Sequence, residues 1–248
     1  MPIREELEKS GQWLFRWRGY LPLVLFVPVI AGLSDSSSSF SLEERSEGVW
    51  EAICVLVSLV GLVIRVVTVA RAPGGTCGRR TVGGPSASVL NTTGMYSVVR
   101  HPLYLGNYFQ WLGIAMIARN PWVVITVSLA FWVYYERIMF AEEEYLRRTF
   151  GDVFREWAAR TPAFVPDVAR WTPPALPFCW RTAIKREYSG AFAMIAAFSF
   201  VCVLQDTVEL RHVPTDSAWL TALVLASITY AAVRVVARRT KLLRVDGR

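Results

Sequence analysis

Six runs of apolar residues decide what this chain can fold into: Leu21–Leu33, Val49–Ala70, Leu103–Ala118, Trp122–Tyr135, Ala191–Leu204 and Ala218–Val236. A bilayer core of about 30 Å takes roughly 20 helical residues to cross. Val49–Ala70 and Ala218–Val236 have that length unaided, and the others reach it with flanking aromatic or amphipathic residues. With 53% hydrophobic residues gathered in blocks, the expectation is an all-α polytopic membrane helical bundle of about six transmembrane helices.

Charge tests the count. With both termini in the cytoplasm, the inner segments hold twenty-one Lys and Arg, and the outer loops hold three, Arg45, Arg119 and Arg211. Arg65, Arg137 and Arg234 lie near inner helix ends. This is a strong positive-inside bias. The outer loops are comparatively acidic, with Asp35, Glu43, Glu44, Glu47, Asp206, Glu209 and Asp216. The net charge of +7 therefore describes a face turned to anionic lipid, and no nucleic-acid partner is needed to explain it. No short apolar region followed by a small-residue cleavage site marks the N-terminus, so no cleaved signal is expected. Cys54, Cys77, Cys179 and Cys202 are scattered, and neither a disulfide framework nor metal-ligand spacing can be read from them.

Three regions follow. Residues 1–89 hold an amphipathic interfacial helix with Trp13 and Trp17, two spans and a Gly-rich cytoplasmic connection. Residues 90–167 hold a tight hairpin around Arg119, Asn120 and Pro121, then a charged helix entering the cytoplasm. Residues 168–248 hold a second hairpin and a basic tail. No GxGxxG follows a strand, and no βαβ unit is offered, which excludes a Rossmann-type cofactor domain.

Two stretches carry chemistry. In the first, Arg100, His101, Pro102, Tyr104 and Gly106 open the third span. Pro102 suits the first turn of a helix, which leaves Arg100 and His101 at the inner mouth of the membrane. An interfacial anchor of snorkelling Arg and belt Tyr would account for part of this. It leaves the histidine, Gly106, Asn107 and Gln110 unexplained. In the second, Arg137 precedes the run Glu142, Glu143, Glu144. A solvated face would pair Glu143 with Arg147 and Glu144 with Arg148, both at i,i+4. Helical phase sets Glu142 and Glu143 on the edges of an apolar stripe of Leu146, Phe150, Val153, Phe154 and Trp157. Glu144 is expected to point to water. Inward carboxylates need positive charge or donors, which Arg100, His101 and Arg137 would supply, or a bound cation, or a ligand's hydroxyl and amino groups.

Arg-His-Pro-x-Tyr-x-Gly opening a membrane hairpin, then Arg and Glu-Glu-x-x-Leu-x-x-x-Phe-Gly, resembles the isoprenylcysteine carboxyl methyltransferases and the related phospholipid methyltransferases. The matching residues are Arg100, His101, Pro102, Tyr104, Gly106, Arg137, Glu142, Glu143, Leu146, Phe150 and Gly151. The resemblance covers residues 90–167. It implies a membrane-embedded methyltransferase that binds S-adenosyl-L-methionine on the cytoplasmic side and receives a lipophilic or small acceptor. His101, Pro102, Tyr104, Gly106, Glu142 and Glu143 would contact that cofactor. Arg100, Arg137 and Glu142 would serve catalysis, orienting an ionised acceptor or taking a proton from an amine or thiol. Membrane sterol reductases share a similar hairpin but use a nicotinamide cofactor and carry an Arg-Asp-Glu segment. The run Ala141-Glu142-Glu143-Glu144 favours the transferase over that alternative. A non-catalytic membrane scaffold that retains the fold is the other alternative, and it would bind no cofactor.

Overall fold

The computed structural model describes residues 2–34, 44–74, 89–212, 214, 217–245 and 247. Cys77, Asp216, most of the Ser-rich outer loop and most of the Gly-rich connection lie outside them. The elements are α1 (Ile3–Arg16), a 3-10 turn (Leu21–Leu25), α2 (Phe26–Ser34), α3 (Glu44–Ala70), α4 (Met95–Val98), α5 (Pro102–Met116), α6 (Pro121–Arg160), a 3-10 turn (Val168–Arg170), α7 (Trp180–Leu210) and α8 (Ala218–Arg239). There is no strand among the described residues.

Four of these helices, α3, α6, α7 and α8, are long and apolar enough to cross a membrane, and α1 with Leu21–Leu33 forms a fifth candidate bent by 89°. The count approaches the expected six. The difference lies in α5, whose 15 residues reach about 22 Å at 1.5 Å per residue. The expected span Trp122–Tyr135 and the charged helix after it run on without a loop as the 40-residue α6, which is kinked at Gly151.

Glycine sets how closely α3 and α5 lie. A methyl group on Gly61 would strike the Gly106 carbonyl, and one on Gly113 would strike the Cys54 carbonyl and Ser58 Oγ. Small residues let membrane helices approach backbone to backbone. Polar side chains fasten the antiparallel pair along its length. Trp50 Nε1 donates to Met116 O at 2.9 Å and Ser58 Oγ to Gln110 O at 2.8 Å. The α5–α6 turn places Arg119 in left-handed backbone (φ 51). Asn120 then caps α6 by accepting from Trp122 N at 2.9 Å, with Pro121 in the first helical position.

The amphipathic N-terminal helix α1 runs antiparallel along the middle of α6. Gly11 lies against the Arg137 carbonyl and Ala141, and Tyr134 Oη donates to Leu14 O at 3.1 Å. Trp13 and Trp17 stay exposed on the other face. Helix α8 has no buried residue and rests on α7 through Tyr230 against Phe192, ring centroids 4.7 Å apart, and Trp219 stacked on Phe198.

Candidate active site

The start of α5 is fixed before any ligand is considered. Residues 94–100 form an irregular segment with Gly94 at φ 61, a single turn of helix α4, and extended Val99. The chain that follows α6 lies alongside it. Arg100 N donates to Pro162 O at 2.9 Å, Asp167 N to Val98 O at 2.9 Å, and Gly94 N to Thr172 O at 3.0 Å. These bonds satisfy backbone groups that the low-dielectric surroundings would otherwise leave costly. His101 then ends the extended stretch as the residue preceding Pro102, the first residue of α5.

His101 and Tyr104, on the first turn of α5, reach across to α6. His101 Nε2 lies 2.8 Å from Glu143 Oε1, and Tyr104 Oη donates to Glu142 Oε1 at 2.8 Å. The carboxylate selects the tautomer with hydrogen on Nε2. His101 Nδ1 faces Glu142 Oε2 at 3.7 Å. Arg100 Nε approaches Glu143 Oε1 at 3.2 Å. Each glutamate is thus held by one oxygen. Among the described residues, Glu143 Oε2 accepts no hydrogen bond, and Glu142 Oε2 has only the distant imidazole. His101 is 6% exposed, while the two glutamate side chains keep about a quarter of their surface open (25% and 26%). They open onto a cavity of about 540 Å³, within the roughly 300–1,000 Å³ typical of small-molecule sites.

Arg100, His101, Pro102, Tyr104, Glu142 and Glu143 all line that cavity. Two of the expected site residues do not. Gly106 is spent on helix packing, with Arg65 and the Gly61 carbonyl against it. Arg137 turns to α1, where its Nη1 donates to Ser10 Oγ at 3.3 Å.

Glu144 corrects the expectation of a solvated side chain, because it is 8% exposed. Arg4 reaches it from α1 with bonds of 2.8 and 2.7 Å, and Arg147 adds another at 3.1 Å. The face expected to meet water instead meets another helix. Of the expected i,i+4 pairs, Glu143–Arg147 is replaced by the contacts to Arg100 and His101, and Glu144–Arg148 stretches to 4.0 Å. Phase also fails past Gly151, which sits at φ 55, ψ −123 inside α6. That break resets the helical angle. Phe154 and Trp157 stay buried, but Val153 is 64% exposed. Because Glu144 serves docking, Glu144→Gln is expected to loosen α1 by about 1 kcal/mol and to leave ligand binding in the cavity intact. Limited proteolysis of residues 1–20, with ligand binding measured in parallel, checks both halves.

Sequence reasoning did not assign Arg65, Tyr135 and Glu187 to the site, nor the other lining residues from the two ends of the chain. Arg65 on α3 holds Glu187 on α7 by a two-pronged bridge, Nε to Oε2 at 2.8 Å and Nη2 to Oε1 at 2.9 Å. Its Nη1 donates to Asn107 Oδ1 at 2.6 Å, and Asn107 Nδ2 donates to Tyr135 Oη at 3.2 Å. Four helices meet in this polar chain at the wall of the cavity. Phe15 and Arg18 from the N-terminus and Thr182, Lys185 and Arg186 from α7 also border it. An Arg within the apolar run 49–70 was the available signal, since a charge at that depth needs a partner. No group of three or more His, Cys, Asp or Glu is placed to hold a metal ion among the described residues.

Such an arrangement defines a multi-pass, all-helical membrane protein with a paired-carboxylate pocket between α5 and α6. Residues 51–153 match the family described as phospholipid methyltransferase. It is 30% identical over 140 residues to a cobalt-zinc-cadmium resistance protein of Cupriavidus metallidurans, covering 54% of this chain and 63% of that protein. It is 31% identical over 145 residues to a nickel-cobalt-cadmium resistance protein of Alcaligenes xylosoxydans xylosoxydans, covering 58% and 64%. A protein-S-isoprenylcysteine O-methyltransferase of Arabidopsis thaliana is 38% identical over 80 residues, 32% of this chain and 40% of that enzyme. The chain thus spans less than two thirds of the length of each of these relatives. No solved structure matches it.

Proposed function

We propose that this chain is an integral membrane methyltransferase that uses S-adenosyl-L-methionine and acts on a lipophilic acceptor drawn from the bilayer, with its site on the cytoplasmic face. The observation that carries the reading is the meeting of His101 and Tyr104 with Glu143 and Glu142 in one cavity. The family match over residues 51–153 and the isoprenylcysteine methyltransferase relative support the reaction class. The excess of Lys and Arg on the inner segments supports the orientation.

The donor fits the residues present. S-adenosylmethionine, when bound, supplies a methyl group activated by a positively charged sulfur. Glu142 Oε2 and Glu143 Oε2 are available to accept from its hydroxyl or ammonium groups. His101 and Tyr104 fix the rotamers of those two glutamates, so that little ordering remains when a ligand arrives. Pro102 and Leu103 supply apolar wall beside them. Apolar and aromatic lining from Phe154, Trp157 and Leu146 excludes water from the same end. Arg100, in contact with Glu143 and bonded to Ala158 O at 3.3 Å, holds the helix ends together. In this arrangement residues 90–167 form the donor subsite, and residues 168–248 close the cavity from the opposite side.

Calorimetry on the purified full chain tests this. S-adenosylhomocysteine is expected to bind the wild type. His101→Ala and Glu142→Gln are expected to weaken it at least about tenfold, which is about 1.4 kcal/mol. Wild-type protein that takes up NADPH and shows no heat with S-adenosylhomocysteine would overturn the proposal.

A further inference from the structure

Five cationic side chains border the cavity, Arg18, Arg65, Arg100, Lys185 and Arg186, against the three carboxylates Glu142, Glu143 and Glu187. The carboxylates are already engaged. Glu187 is taken by both prongs of Arg65, Glu143 by His101 and Arg100, and Glu142 by Tyr104. Lys185 stands two residues before Glu187 on α7, half-buried, and has no carboxylate in ion-pair contact among the described residues. An ammonium carries three donors and no acceptor. At the inner end of a membrane helix, facing a cavity, it is stabilised by an anion. The cavity is therefore polarised, with the paired glutamates at the α5–α6 end and surplus positive charge at the α7 end. Apolar Val69 and Leu103 also border it.

We propose that Lys185 binds an anionic group, phosphate or carboxylate, of the methyl acceptor, which makes the acceptor an anionic amphiphile. The inference rests on the methyltransferase reading above and names the substrate class of that same site. Lys185 lies outside the segment 51–153 that matches the family, so this recognition belongs to the C-terminal hairpin of this chain. Arg65 is already neutralised by the two-pronged bridge to Glu187, and Asn107 takes one more of its five donors. The bridge to Arg65 occupies both oxygens of Glu187, the carboxylate nearest Lys185 in sequence.

Full-length protein in a neutral detergent is titrated with S-adenosylhomocysteine and, separately, with dihexanoyl phosphatidate, octanoate and the neutral dihexanoylglycerol. The wild type is expected to bind the two anionic amphiphiles at least about tenfold more tightly than the neutral one, about 1.4 kcal/mol of preference. Lys185→Gln is expected to abolish that preference, Lys185→Arg to retain most of it, and both to bind S-adenosylhomocysteine as the wild type does. Inorganic phosphate added as competitor separates the sources. Displacement of phosphatidate marks the headgroup as sufficient, and no displacement marks a lipid held by head and tail together; either supports an anion site. Equal binding of anionic and neutral amphiphiles, with S-adenosylhomocysteine bound normally, would overturn the inference and leave the methyltransferase reading standing. Weaker S-adenosylhomocysteine binding by Lys185→Gln would overturn it too, because the lysine would then belong to the donor. Wild type that binds no S-adenosylhomocysteine would remove the reading and this inference together.

Discussion

Replacing Glu187 by leucine is expected to lower the thermal stability of the protein sharply, more than any surface substitution. Arg65 would be left with a guanidinium at 18% exposure and no counter-charge on α7. Breaking a buried pair from one side costs about 3–5 kcal/mol. At about 2–4 °C per kcal/mol for a chain of this size, the midpoint should fall by on the order of 10 °C. The double variant Arg65→Met with Glu187→Leu is expected to recover most of that loss, because two apolar side chains need no partner. Recovery stays incomplete, since Asn107 Oδ1 loses its donor. Thermal aggregation followed in detergent distinguishes the two cases. A double variant as unstable as the single one would show that the bridge does not couple α3 to α7.

A larger effect still is expected of Gly113→Val. The position on α3 that faces it is main chain, the Cys54 carbonyl and the Ser58 nitrogen, and main chain cannot rotate aside. Side-chain overpacking usually costs about 1–3 kcal/mol because neighbours shift. Here the whole α3–α5 interface must part, and with it the bonds from Trp50 and Ser58. The expected result is little or no monodisperse protein after extraction. Gly48→Ala is the control. Nothing lies within 4 Å of a methyl group there, and alanine in a helix is favoured over glycine by about 0.5–1 kcal/mol. Wild-type behaviour from Gly113→Val would mean that the two helices do not need their close approach.

How far the sequence reaches depends on the distance over which its signals act. Helical runs, the Pro102 start and the Asn120–Pro121 turn are local, and each is found where its residues place it. The two motifs were legible because each is a short word, and their convergence puts His101 within 2.8 Å of Glu143, 42 positions away. Helical phase was less reliable. It ranked Glu144 as solvated because it measures angle and contains nothing about which neighbour occupies that angle. The neighbour is Arg4, 140 positions earlier. The Arg65–Glu187 bridge was missed for the same reason, since 122 positions separate its partners and no spacing rule connects them. Gly151 was read as one letter of a motif, while its positive φ, which glycine accepts readily, bends the helix and decides which residues after it are buried.

The cavity is walled by side chains from Phe15 near one end of the chain to Leu243 near the other. That has a consequence for the order of events during synthesis. Segments are inserted as they emerge, so the motif residues of α5 and α6 are in place before α7 and α8 exist. Until those last helices pack, Arg65 has no carboxylate and the pocket has one wall open. The matched segment 51–153, made alone, is therefore expected to insert without becoming a working unit. The wall that Thr182, Lys185, Arg186 and Glu187 supply arrives only with α7, so the cavity is expected to close late.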